Sequence, residues 1–213
     1  MKRAAVFLDR DGTLVHERGP VAAFSIDWLY PYSIPTLLRL QAMGFLLFVV
    51  TNQAAVARGL VTADEVDAVH RGLVAALAAG GVLLQGIRYC PHHPDGIVPH
   101  YRRPCAGRKP AAGLLRQLAG AFDVDLSRSW MVGDHATDVQ AGQAAGTRTC
   151  LVDTGHGATW AAWAGGMPSV ARASTLADVP RVIAQKKVHH PPGERQDLTI
   201  KIENGSTEWT KYA

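Results

Sequence analysis

Two aspartates, Asp9 and Asp11, stand at the end of an apolar run that begins at Ala4, and Gly12 follows them. Carboxylates spaced two apart can both face one pocket when the chain bends after a strand, and a glycine permits that bend. One of them can attack an electrophile while the other donates and accepts protons. Three further polar clusters occur downstream. Thr51 and Asn52 close a second apolar run, Arg108 and Lys109 end a long stretch rich in proline, glycine and histidine, and Asp134 follows Gly133 with Asp138 one helical turn on. The set offers a nucleophile, a proton shuttle, cations for anionic oxygens and carboxylates for Mg²⁺, an ion that takes few carboxylates alongside water and phosphate oxygens. That inventory is the one phosphoryl transfer requires. Asp134 would join Asp9 on the ion, and Asp138, on the same face, would orient water there. Taken singly, an Asp-x-Asp pair is more often a solvated turn, and Thr51-Asn52 more often a helix cap or Asx-turn. Their joint occurrence in this order reverses that weighting.

These groups meet only if the elements carrying them end at one edge of a sheet. Apolar runs predict buried strands over 4–9 and 45–53, and further strands read over 86–90, 127–135 and 147–155, the one at 127–135 again ending in Gly-Asp. Between them, helical spacing predicts helices over 34–44, 62–80, 111–122 and 139–146, with 176–185 as a closing helix. Thr62 with Glu65 three residues later reads as a capping box. The β-α-β alternation predicts an α/β fold, a doubly wound parallel sheet with helices on both faces and ligands at the carboxyl ends of its strands. Residues 1–185 form the expected domain and 186–213 a tail, with one strand over 197–202. Cys150 reads as core, His16 and His70 as surface residues, Arg102 and Arg103 as a solvated basic loop or contacts for a second phosphate, and His135 as exposed or an outer substrate contact. Trp160, Trp163 and the glycines over 155–166 read as packing and a flexible connector.

The chain has 213 residues, 47% of them apolar, which suits one well-buried domain. A net charge of +4 and few aromatics argue against a nucleic-acid binder and favour a small anionic substrate. No run approaches the ~18 apolar residues of a membrane span. The opening MKRAAVFLDRDGT is unlike a signal peptide, so the expectation is a cytoplasmic monomer. Three cysteines do not suggest a disulfide framework. Cys90 and His92 with Cys105 read instead as a metal site in a reducing compartment.

The set DRDGT at 9–13, TNQ at 51–53, GRKP at 107–110 and GDHATD at 133–138 resembles the four motifs of the haloacid dehalogenase superfamily, over roughly positions 5–155. In finer detail VVTNQAAVARG, YCPHHPDG and C-x-G-RKP resemble the heptose 1,7-bisphosphate phosphatases of lipopolysaccharide-precursor synthesis; histidinol-phosphate phosphatases share much of the pattern. The resemblance implies a phospho-aspartate on Asp9, Asp11 as acid/base, and Thr51, Asn52, Gln53, Arg108 and Lys109 as phosphate or substrate contacts. It further implies Asp9, the Asp11 carbonyl and Asp134 as Mg²⁺ ligands, with Arg10, Gly12, Thr13 and Asp138 in support. The partner it implies is a small phosphorylated sugar, the C7 phosphate of a heptose 1,7-bisphosphate first and histidinol phosphate second. A phosphotransferase or an inactive phosphate-binding module is a more distant alternative. The intervals between motifs hold no separate domain, so the enzyme is expected to be capless, its pocket shaped by loops 15–25 and 90–108. Relatives close a structural zinc site with C-x-H and C-x-C, whereas Gly107 occupies the fourth ligand position here. Cys90, His92 and Cys105 would then hold zinc with His93, His100, Asp95 or a water, or the site is weakened or empty.

Overall fold

The computed structural model describes residues 2–187 and 208–211. The apolar runs form strands β1 (Ala5–Leu8), β2 (Leu46–Asn52), β3 (Gly86–Cys90), β4 (Trp130–Gly133) and β5 (Arg148–Val152), joined by β6 (Val170–Ala173) and β7 (Glu208–Lys211). They lie in one sheet in the order β6-β5-β4-β1-β2-β3-β7, and every neighbouring pair is parallel. The helices between them are α1 (Ser33–Ala42), α2 (Ala63–Ala79), α3 (Gly113–Ala121), α4 (Ala136–Ala145), α5 (Gly157–Gly165) and α6 (Val179–Lys187).

Alternation along each strand sends side chains to opposite faces, and both faces are covered, which is why β1 and most of β2 read as unbroken apolar runs. Val6 and Leu8 pack with Leu47, Val49 and Val132 beneath α1, α2 and α6, which contribute Leu37, Leu40, Leu73, Leu77, Val179 and Ile183. Ala5 and Phe7 face the other way, with Phe48, Val50 and Met131 under Leu114, Leu115 and Leu118 of α3 and Ala141 of α4. Each fully buried leucine or phenylalanine contributes about 1.5–3 kcal/mol. At α2, Thr62 and Glu65 form the expected capping box.

Chain progression runs outward from β1 through β2 to β3, then returns to place β4 on the other side of β1. The reversal makes the crevice at the carboxyl ends of β1 and β4 the topological switch point, where open α/β sheets bind ligands. No cap interrupts the fold among the described residues. Leu14–Val50 is used by a loop, α1 and β2, and 53–108 by α2, β3 and a loop with one 3₁₀ turn at Pro99–Tyr101.

Two expectations require correction, and one strand has no counterpart among them. The segment 155–166 is not a connector but helix α5, whose Trp160, Trp163 and Ala164 pack near Leu151 and Val170. Helix α4 begins at Ala136, three residues earlier than its apolar period indicates, because the His135 side chain caps it. Strand β6 was not anticipated: four residues with an exposed Arg172 give too short an apolar signal. The strand expected over 197–202 lies outside the described residues, while β7 pairs with β3 further on. No helix among the described residues is long and apolar enough to cross a membrane.

Candidate active site

The Asp9 amide donates to Val132 O at 2.9 Å, which extends the β1–β4 pairing by one residue and brings Asp9 beside Asp134. The chain then turns tightly: Leu14 N and Val15 N both donate to Arg10 O, and Gly12 adopts φ +74°. A Cβ on Gly12 would fall on Asp134 Oδ2, and so would one on Gly155, whose φ is +56°. Two glycines from distant loops thus close around one carboxylate, helped by the Thr154 hydroxyl donating to Gly12 O at 2.6 Å. The His156 amide donates to Asp134 Oδ2 at 2.7 Å. Gly133 must likewise lack a side chain, since a Cβ there would meet the Asp138 carboxylate. Asp138 Oδ2 accepts from the His135 amide at 2.9 Å, completing the α4 capping box.

The result is three carboxylates, Asp9, Asp134 and Asp138, each offering an oxygen within 4.8 Å of the others. Lys109 is buried among them. Its Nζ donates to Val50 O at 2.8 Å and lies 2.8 Å from Asp9 Oδ1 and 2.6 Å from Asp138 Oδ1. Neither carboxylate oxygen has a well-aligned hydrogen bond, so these two contacts act chiefly through charge. Burial raises the Asp9 pKa to about 6, opposed by Lys109 and reinforced by the charges of Asp138 and Asp11. Burial, then the Asp9 charge, raises Asp134 to about 8. For Lys109, burial pulls downward, but Asp138 and Asp9 outweigh it and hold the ammonium above the ordinary lysine range. Among the described residues one ammonium therefore faces three acids, two of them displaced toward protonation by burial and by the charges of their neighbours. A cluster of hard oxygens in that condition fits a small divalent cation such as Mg²⁺.

Asp11 is partly exposed and close enough for its charge to act on Asp9. Arg10 Nε donates to both its carboxylate oxygens at 3.1 Å and Nη2 to Oδ2 at 2.7 Å, while Gln53 Nε2 donates to Oδ2 at 2.9 Å. Gln53 Nε2 also reaches Thr51 Oγ1 at 3.0 Å, leaving the Thr51 hydroxyl proton free to donate. Both ends of the Asn52 amide grip the Lys109 backbone: Nδ2 donates to Lys109 O and Oδ1 accepts from Lys109 N, each at 3.0 Å. Asn52 thereby anchors the segment that delivers the buried ammonium. The Arg108 side chain, half-buried, donates to His92 O at 3.3 Å. Thr13 is fully buried and its hydroxyl has no hydrogen-bond partner among the described residues.

Beside this crevice, Cys90, His92 and Cys105 also bring their ligand atoms within 4.8 Å of one another. Cys90 Sγ is 3.7 Å from His92 Nδ1, and the Gly107 amide donates to Cys105 Sγ at 3.4 Å. Burial, then Arg103, lowers the His92 pKa, which keeps the imidazole neutral for ligation. Two thiols and an imidazole are soft donors of the kind zinc takes. Neither His93, His100 nor Asp95 belongs to this group, and the His93 ring instead accepts from the Asp95 amide.

His70 and His16 depart from expectation. His70 is not a surface residue: it is 2% exposed, with Nε2 3.1 Å from Arg10 Nη1. His16 is half-buried, its ring centroid 4.0 Å from that of Tyr30. His135 packs against Trp160, with ring centroids 4.8 Å apart. Arg102 and Arg103 are exposed and Cys150 is buried. Gly155 and the His156 amide, which shape the Asp134 pocket, went unanticipated because a backbone donor leaves no side-chain signature.

Comparison with known proteins follows the same lines. A family model described as HAD-hydrolase-like matches residues 106–178. The chain is 39% identical over 146 residues to D-glycero-beta-D-manno-heptose-1,7-bisphosphate 7-phosphatase of Rhodopseudomonas palustris, covering 68% of this chain and 81% of that protein. It is 37% identical over 189 residues to the protein of the same name from Escherichia coli K12, covering 86% and 95%. Among solved structures, the D,D-heptose 1,7-bisphosphate phosphatase of B. bronchiseptica, complexed with magnesium and phosphate, aligns with a TM-score of 0.74 at 33% identity. That alignment covers 86% of this chain and 99% of the other.

Proposed function

The chain belongs to the HAD superfamily of phosphatases, and from that premise we propose that it removes the C7 phosphate of D-glycero-D-manno-heptose 1,7-bisphosphate. The substrate reading is supported by the relatives' names together with the length over which they match. The chemical reading rests on one observation above all: three carboxylates and one buried ammonium converge at the β1/β4 crevice.

In the proposed reaction, an Asp9 carboxylate oxygen attacks phosphorus and the bond to the sugar O7 breaks. The Asp11 carboxyl gives its proton to the departing oxygen. Asp11, now ionised, then takes a proton from water as that water attacks phosphorus of the phospho-aspartate, which releases inorganic phosphate and returns Asp9 and Asp11 to their starting states. Lys109 balances charge on Asp9 and, with Thr51 and Arg108, offers donors to the phosphoryl oxygens. Mg²⁺, held by Asp9, Asp134 and the Asp11 carbonyl, would supply the positive charge that lets a carboxylate approach a phosphate. Without a cap the site is open, and water has access to the phospho-aspartate, which favours hydrolysis over transfer to a second sugar.

Cys90, His92 and Cys105 are proposed to hold a structural zinc, for which the described residues offer no fourth side-chain ligand. Less than a tenth of an equivalent of zinc after expression in zinc-rich medium would refute it. Residues 1–185 are proposed as the catalytic domain, since every group named above lies within them.

The function is tested by incubating both anomers of the bisphosphate with enzyme and Mg²⁺ and following the products by ³¹P NMR. Loss of the C7 phosphomonoester signal with the C1 phosphate retained is expected, at a kcat/KM well above that for histidinol phosphate. A preference for histidinol phosphate, or release of the C1 phosphate, would overturn the assignment.

A further inference from the structure

Arg10 and Asp11 are adjacent in sequence, yet the Arg10 guanidinium turns back to embrace its neighbour's carboxylate through Nε and Nη2. That side-on grip uses one edge of the fork and leaves Nη1 on the other. His70 of α2 meets Nη1 there, with Nε2 3.1 Å away. A guanidinium has donors and no acceptor, so Nε2 must be the unprotonated nitrogen, and His70 is a neutral imidazole with its proton on Nδ1. Burial, then the Arg10 charge, pushes its pKa down, consistent with that state.

His70 is itself held firmly. It lies on the buried stripe Val66, His70, Leu73 and Leu77 of a capped 17-residue helix, and its ring meets Tyr89 edge-on with centroids 5.2 Å apart. The neighbouring Val69 and Leu73 line the same cleft as Arg10 and Asp11. Asp11, by contrast, is partly exposed on a turn, with 21% of its side chain accessible. Without the Arg10 fork its carboxyl would keep only the Gln53 amide on Oδ2 and could swing about that contact, whereas proton delivery needs a defined orientation.

We propose that His70 is a positioning residue for the reaction, fixing the Arg10 fork and, through it, the carboxyl of Asp11. The inference rests on the assignment of Asp11 as acid/base made above, and it adds a residue 60 positions from Arg10 that belongs to neither the carboxylate cluster nor the proposed phosphate contacts. A positioned acid matters in proportion to how badly the leaving oxygen needs a proton. Loss of positioning therefore damages hydrolysis of a sugar phosphate and largely spares that of 4-nitrophenyl phosphate, whose phenolate departs unaided. A defect in folding or in phosphate binding would depress both alike.

The test compares kcat/KM on these two substrates for three variants. Asp11→Asn probes the underlying assignment: a loss at least tenfold greater on the sugar phosphate supports it, and equal losses sink it. His70→Phe keeps the ring volume and removes the acceptor, and is expected to show the same selectivity with about a tenfold drop on the sugar phosphate. His70→Gln retains an acceptor oxygen and should recover most of that drop. If Asp11→Asn is selective while His70→Phe lowers both substrates equally, or neither, the role given to His70 is wrong. Should His70→Phe not fold, Arg10→Lys keeps the charge but loses the fork and carries the same prediction, with equal effects on both substrates counting against it.

Discussion

Lys109→Met removes the one ammonium in the crevice while keeping much of the side chain's apolar stem. In the wild type that ammonium lies 2.8 Å from Asp9 and 2.6 Å from Asp138, with 2% of its side chain exposed. Without it, three carboxylates face one another in a buried site, so the variant loses the pairing and keeps the desolvation of its partners. Breaking a buried pair from one side typically destabilises by about 3–5 kcal/mol. For a chain of this size each kcal/mol moves Tm by about 2–4 °C, so a fall of roughly 6–20 °C follows in metal-free buffer. Adding Asp138→Asn to the variant removes one of the stranded charges and should return part of the loss, giving a coupling of about 0.5–3 kcal/mol in a double-mutant cycle. Differential scanning calorimetry of the four proteins in EDTA measures both quantities. A Tm within about 2 °C of wild type for Lys109→Met, on the same scale, would refute the idea that Lys109 compensates buried charge.

The raised carboxylates make stability depend on pH in a definite direction. Between about pH 4 and pH 8 the folded protein holds protons on Asp9 and Asp134 that the unfolded chain has released, so the metal-free protein should lose stability as pH rises through that window. Saturating Mg²⁺ should flatten the trend, and melts at several pH values with and without the ion check it; identical slopes would contradict it. Gly155→Ala places a methyl group on Asp134 Oδ2 at φ +56° and should weaken Mg²⁺ binding and kcat together by at least tenfold in titration and steady-state assays. Asn52→Ala frees the Lys109 backbone from two hydrogen bonds and should lower kcat more than it raises KM in steady-state assays, with a stability loss of about 1–3 kcal/mol in denaturant melts.

The legible part of the fold was the part in which local pattern and tertiary environment agree. β1 and β2 are buried on both faces and so appear as apolar runs, and the capping box at Thr62 marks the start of α2 without tertiary information. β6 offers only four residues, with Arg172 pointing out to pair with Asp153 at 2.7 Å, and no local rule reveals it. Helix α5 hides behind its glycines, since Gly157 must be bare where a Cβ would strike Val152 O and Gly165 ends the helix. In the crevice, the acids and Lys109 could be named because charged residues at strand ends are conspicuous. What binds them together could not: Asn52 acts through both ends of its amide on a backbone 57 residues away, and Gly155 acts by absence. His70 was recoverable in principle. Val66, His70, Leu73 and Leu77 form a helical stripe, and a histidine on such a stripe is buried whatever its polarity. Only its partner, Arg10, required the fold.

The claim beneath all of this is that Asp9 becomes covalently phosphorylated. Enzyme mixed with substrate and Mg²⁺, quenched in acid within the turnover time, then reduced with borohydride and digested, should yield homoserine at position 9 by mass spectrometry. The product should be absent without substrate and absent in Asp9→Asn. Turnover proceeding normally with no modification at Asp9, or with modification at another carboxylate, would contradict the account.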